Sequence, residues 1–98
     1  MSVITDVASE VVAHIRQCGG GFAGWYCGIA TNPRVRLFND HNVSQATGPW
    51  IYRDAGSEAS ARVIERYLLS LGCRGGGGGG DSSSKYVYAY KITPYTNP

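Results

Sequence analysis

A tyrosine on a strand and an arginine one helical turn past a cap can converge on one cleft, and a glutamate on a later helix lies at the edge of the core, where a cleft could be. Tyr26 lies in Gly24-Trp25-Tyr26-Cys27-Gly28-Ile29-Ala30, an aromatic and apolar run that reads as a strand, with glycines where the backbone approaches something closely. Asn32-Pro33 then supplies a helix start, with Asn as N-cap and Pro at the first helical position, where its missing N–H costs nothing. Arg36 follows one turn past that cap, and His41 closes the segment. Glu65 falls beside the apolar stripe of a later helix, flanked by Ala61 and Leu68, so its carboxylate points along the edge of the core. A cation, a carboxylate and a phenol are the group types that phosphodiester cleavage uses to neutralise charge, hold a metal and handle a proton.

The elements that must position these groups are legible. Val3, Ile4, Val7, Ala8, Val11, Val12 and Ile15 recur at three-and-four spacing, which predicts an amphipathic helix over residues 2–17, ended by Gly19-Gly20-Gly21. Asp6, Glu10, His14 and Arg16 fall on its solvated face. A strand is expected over residues 22–31, then a short helix from Pro33 to about His41, anchored by Val35 and Phe38 or by Leu37. Residues 42–49 read as a loop, Trp50 to Asp54 as a second strand, and Ser57 as the cap of a third helix that ends at Gly72. Lys85 to Ile92 is the clearest strand: Tyr86, Tyr88 and Tyr90 share one face at period two, with Val87 and Ala89 on the other.

Ninety-eight residues predict one domain over 1–98, with a glycine-rich loop at 74–84. Six consecutive glycines favour a flexible connector, and with no Lys-Ser/Thr after them a P-loop is excluded. Nine Lys and Arg against seven Asp and Glu give +2, too small a charge to argue for nucleic acid by itself. Three cysteines without CxxC spacing argue against a disulfide framework and a structural zinc, and fit free thiols in a reducing cytosol. No signal peptide or membrane span is expected, so a cytoplasmic protein is.

Tyr26-Cys27-Gly28 with Arg36-Leu37 eight residues after Gly28 resembles the second half of the GIY-YIG nuclease motif. Trp50 to Asp54 would be that family's third strand. Ser57-Glu58-Ala59-Ser60-Ala61-Arg62-Val63-Ile64-Glu65 resembles its helix, with an alanine four residues before the metal-binding glutamate. The resemblance spans residues 24–71. It implies a small α+β fold, a three-stranded, mainly antiparallel sheet with packed helices. The place of the first motif holds a helix and glycines, so Tyr86-Val87-Tyr88 would stand in for it as a circular permutation, pairing with residues 24–31.

By this resemblance Glu65 holds one Mg²⁺ or Mn²⁺, Arg36 stabilises the transition state, and Tyr26, Tyr88 and His41 complete the catalytic set. Tyr88 is the candidate base, with Arg36, Lys85 or the metal expected to lower its pKa. Gly28, Arg34, Arg53, Tyr86 and Tyr90 are expected to contact a nucleic acid or nucleotide. His41 lies five residues after Arg36 where the family has four, a rotation of about 100° on an α-helix.

Plain structural roles compete with each assignment. Arg36 can pair with Asp40 and Glu65 with Arg62, each contributing about 0.3 to 0.5 kcal/mol. Tyr26 can be strand packing, His41 a helix end, and Tyr86, Tyr88 and Tyr90 an aromatic platform for bases. The alternative function is an inactive GIY-YIG-like module that binds a nucleotide, a nucleic-acid end or a protein partner, or dimerises through its first helix.

Overall fold

A computed structural model describes residues 3–46, 48–75 and 84–98. Helix α1, Val3–Cys18, buries the stripe Val7, Ala8, Val11 and Ile15. A 3₁₀ turn, Phe22–Gly24, precedes β1, Trp25–Ala30, so the strand begins three residues later than the expected 22. Three successive positive φ values at Gly19, Gly20 and Gly21 turn the chain into it, a conformation L-residues with a Cβ rarely adopt.

Asn32 caps the next segment as its sequence predicts, its side chain accepting the Val35 N–H at 3.3 Å. The helix is not continuous. One α turn, α2 over Pro33–Val35, passes into a π turn over Arg36–Asp40. Of its proposed anchors Leu37 is completely buried and Val35 exposed.

Strand β2 is Trp50–Asp54 and helix α3 is Glu58–Ser70, its cap Ser57 accepting the Ser60 N–H at 3.1 Å. Ala61, Ile64 and Leu68 face the core, where each large aliphatic side chain contributes about 1.5 to 3 kcal/mol. Helix α3 packs on α1, and together they cover one face of the sheet. Of the loop expected at 74–84, residues 76–83 lie outside the described residues.

Strand β3, Tyr86–Lys91, is central: the order is β1-β3-β2, all antiparallel, so the domain is α+β. The last strand therefore pairs with residues 25–30, Gly28 opposite Tyr88 and Tyr26 opposite Tyr90. Strand β2 pairs on its other side, Tyr52 opposite Tyr88 and Trp50 opposite Tyr90. Because side chains alternate, Trp25, Cys27, Ile29, Ile51, Val87 and Ala89 enter the core beneath the helices. Tyr26, Trp50, Tyr52, Tyr88 and Tyr90 line the opposite face with Leu37, Phe38 and Val43. Arg74 bonds its backbone to Trp25 and Cys27 at 2.8 Å each, which occupies part of the outer edge of β1.

Candidate active site

The face carrying the tyrosines brings together Tyr26, Tyr88, Tyr90 and His41, whereas Glu65 stands on α3, which packs on the opposite face of the sheet. Tyr88 reaches from β3 across Gly28 of β1. A Cβ placed on Gly28 would lie 2.6 Å from the Tyr88 hydroxyl oxygen, so only glycine leaves room for the ring. Gly28 is itself buried, and it leaves the room that the Tyr88 ring occupies.

His41 receives the Tyr88 hydroxyl. Its Nε2 is 2.8 Å from the Tyr88 oxygen, and its Nδ1 is 2.6 Å from the Asn97 carbonyl oxygen. A carbonyl only accepts, so Nδ1 carries the proton and Nε2 of the neutral ring accepts from Tyr88. The Tyr90 oxygen lies 3.0 Å from Nδ1 and 3.5 Å from the Asn97 oxygen, closing the network. The Asn97 N–H in turn donates to the His41 carbonyl at 2.7 Å, and Asn42 Nδ2 donates to the Tyr95 carbonyl at 2.8 Å, clasping the tail to this loop.

The π turn explains how His41 arrives there. His41 N–H bonds the Arg36 carbonyl at 2.9 Å, an i→i+5 closure. One turn thus takes five residues instead of four, and the offset that would rotate His41 away on an α-helix is absorbed. His41 is thus the C-cap of the turn, as the helix-end reading expects, and its side chain is buried.

Tyr26 is half-buried, stacked on Tyr90 at 5.3 Å between ring centroids and tilted against His41 at 4.8 Å. Burial and Tyr26 push the Tyr88 hydroxyl well above the usual tyrosine range; Arg36 opposes them, and Glu65 adds to them. The expected lowering therefore does not occur, since loss of solvent outweighs the one nearby cation. Lys85 is engaged elsewhere, 3.7 Å from Asp54 and against the Tyr86 ring. Arg36 pairs with Asp40 at 3.4 Å, as its spacing allows.

Glu65 behaves differently from its expected pairing. Arg62 bonds Glu58 one turn earlier, and Glu65 turns inward to 6% exposure. Burial raises its carboxyl above the ordinary range, and Arg62 and Arg66 moderate the shift. It lies near enough to act on both Tyr88 and Cys27.

Several expected contacts are not brought to this place. Arg53 points to the helical side and pairs with Glu10 at 2.7 Å, because its odd position in β2 faces away from the tyrosines. Tyr90 is completely buried with Tyr26 stacked on it, so Tyr88 and Tyr90 do not form an open platform. His14 is half-buried against Trp25, at 5.7 Å between ring centroids, and burial lowers its pKa. Cys27 and Cys73 are both free and buried in the core; their mutual hydrogen bond pushes the Cys27 thiol up.

Arg34 and Tyr86 remain on the site's face. Arg34 lies over Phe38 at 5.5 Å and reaches the Tyr52 hydroxyl at 3.5 Å, and the ring of Tyr86 meets that of Tyr52 edge-on. The Asn97 carbonyl was not foreseeable, since a backbone atom carries no sequence signal. Trp50 and Tyr52 were: their alternation in Trp50-Ile51-Tyr52 places both on the tyrosine face.

Among the described residues no three His, Cys, Asp or Glu gather into a metal cluster, and no helix is long and apolar enough to cross a membrane. Comparison with protein-family models, with curated proteins and with solved structures finds no match to this chain.

Proposed function

We propose that this chain is a GIY-YIG-like phosphodiester hydrolase that acts on nucleic acid with one divalent metal, a circular permutant whose last strand takes the place of the family's first. The observation that carries the reading is the hydrogen-bonded chain Tyr88, His41, Asn97 on the face shared by Tyr26. The pairing of β3 with β1, Tyr88 opposite Gly28, supports the permuted order.

A single buried carboxylate fits the proposed metal. Mg²⁺ and Mn²⁺ prefer hard oxygen donors, and Mg²⁺ usually takes one or two carboxylates, with water and substrate phosphate completing its shell. Glu65 supplies that carboxylate, since the Arg62 guanidinium is bonded to Glu58. When bound, the ion would supply Lewis-acid polarisation of a phosphoryl oxygen.

The proton path follows from the tautomer. A resting Tyr88 phenolate is unfavourable, because burial holds the proton on. Tyr88 instead passes its proton to His41 Nε2 as it takes one from the attacking water, whose oxygen bonds phosphorus while the P–O bond to the leaving oxygen breaks; that oxygen takes its proton from solvent, and the imidazolium formed keeps Nδ1–H on the Asn97 carbonyl. The Arg36 guanidinium, with its side chain 39% exposed, can leave Asp40 to meet the developing charge on phosphate oxygen.

The test is Mg²⁺- and Mn²⁺-dependent cleavage of single- and double-stranded DNA and RNA, with Arg36→Ala and Glu65→Gln alongside and folding checked by circular dichroism. Activity in the wild type that is lost in both folded variants supports the enzyme. An inert wild type on every substrate with both metals overturns it and leaves a binding module.

A further inference from the structure

Beyond the proton path, the same face carries a strip of half-buried rings that the proposed chemistry does not use: Phe38, Trp50, Tyr52 and Tyr86. Trp50 and Tyr52 lie 5.9 Å apart with planes parallel to within 8°, Tyr86 meets Tyr52 at 6.2 Å, and Phe38 meets Trp50 at 5.1 Å. Cations stand at both ends. Arg34 covers Phe38 with no carboxylate paired to it among the described residues, and Lys85 sits 5.8 Å from the Tyr86 ring centre, its exposed pairing with Asp54 at 3.7 Å open to exchange for a phosphate. The strip is continuous with the site, because Tyr52 is the direct neighbour of Tyr88 across one strand spacing, about 4.8 Å.

We propose that this strip binds single-stranded nucleic acid, its bases stacking on Trp50, Tyr52 and Tyr86 and its phosphates met by Arg34 and Lys85, and leads the strand toward Tyr88. Flat apolar rings interleaved with cations match a polymer of flat bases on a charged backbone, and stacking tolerates any base. The ring spacing exceeds the ~3.4 Å rise of stacked bases, so it suits a strand pulled open and not an intact duplex. The net charge of +2 gives weak general attraction, which leaves stacking as the main grip. The role of Tyr88 as destination rests on the hydrolase reading; the binding does not.

Binding is therefore measured without metal, in EDTA, by fluorescence anisotropy of labelled oligo-dT and oligo-U against a duplex of equal length, with tryptophan emission followed in parallel. The two oligomers distinguish DNA from RNA as the preferred source of the same chemistry. Single strands are expected to bind more tightly than duplex and to quench the emission of Trp50. Trp50→Ala and Tyr52→Leu should each weaken binding by about 5- to 150-fold, the effect of losing one stacked base.

Where a variant does not fold, the quench in the wild type still decides, since it needs no substitution. Binding and quenching in a wild type that then cleaves none of the single- and double-stranded DNA and RNA substrates with Mg²⁺ or Mn²⁺ uphold the strip and overturn the hydrolase alone. Tighter duplex binding, unchanged affinity in folded variants, or no quench at concentrations of ~10⁻⁴ M, the weak end of non-specific binding, overturns the strip. A dimer by sedimentation that excludes the oligomers assigns the face to a second copy and overturns it as well.

Discussion

Replacing Gly28 by alanine tests the interlock on which the site depends. The new methyl group would sit 2.6 Å from the Tyr88 hydroxyl oxygen, 2.8 Å from Cζ and 3.0 Å from Cε2. The hydroxyl is thus about 0.8 Å inside the distance at which ordinary contact begins, in a close-packed interior. Tyr88 cannot simply swing away, for its ring is 3% exposed and its hydroxyl is bonded to His41. Overpacking of this kind costs about 1 to 3 kcal/mol, and displacement of the hydroxyl forfeits a hydrogen bond worth about 0.5 to 1.5 kcal/mol.

Alanine's smaller conformational entropy in a strand returns about 0.5 to 1 kcal/mol. The net loss is about 2 kcal/mol, a fall in Tm of roughly 8 to 16 °C for a chain of this length. Thermal melting by circular dichroism measures it, and Gly24→Ala is the control, since nothing lies within 4 Å of a Cβ there. Cleavage by folded Gly28→Ala at a temperature well below its midpoint should fall about 10²-fold, the effect of misplacing a reacting group by about 1 Å. A Gly28→Ala protein that melts with the wild type and cleaves at full rate would show that Tyr88 is not held against this backbone, and the proposed proton path would fail with it.

Other perturbations probe separate parts of the same structure. Glu65→Gln should raise Tm at pH 7 by a few degrees while abolishing metal-dependent cleavage. With its carboxyl raised by burial, the native state binds more protons than the unfolded state above the ordinary value of 4.5, so stability falls as pH rises through that window and the ionised carboxylate is a cost at neutrality. The gain should vanish below pH ~4, where both states hold the proton, as melting across a pH series will show. Ending the chain after Ile92 removes the Asn97 carbonyl and both links of the tail to residues 41 and 42; kcat should drop by about 10²-fold with its pH profile altered. Leu37→Ala should cost about 2 to 5 kcal/mol by chemical denaturation. Val35→Ala should cost under about 0.5 kcal/mol, since only the first side chain anchors the segment.

The tertiary structure also reassigns what nearby charges do. In the helix, Arg62 could satisfy either glutamate by spacing; it bonds Glu58, while Glu65 lies with Ala61 and Leu68 on the buried side. Arg53 stands in a strand whose even and odd positions serve opposite faces. Its pairing with Glu10 therefore stabilises the contact between α1 and β2 and contributes nothing at the tyrosines.

The elements themselves were determined by local sequence. The three-and-four stripe of α1, the Ser57 cap of α3, the Asn32-Pro33 start and the alternation of Tyr86 to Lys91 each act within a few residues of their cause. The resemblance of Tyr26-Cys27-Gly28 and Arg36 to a known motif likewise rests on short spacings. What tertiary structure alone decided was non-local. The central position of β3 fixes which tyrosine faces Gly28, and burial on both sides of that strand raises the Tyr88 pKa where a count of nearby cations suggests a fall. The π turn that carries His41 inward, and the Asn97 carbonyl 56 residues away that sets its tautomer, depend on packing between segments. Periodicity reports which face a side chain takes; the partner it meets there is chosen by the rest of the chain closing over it.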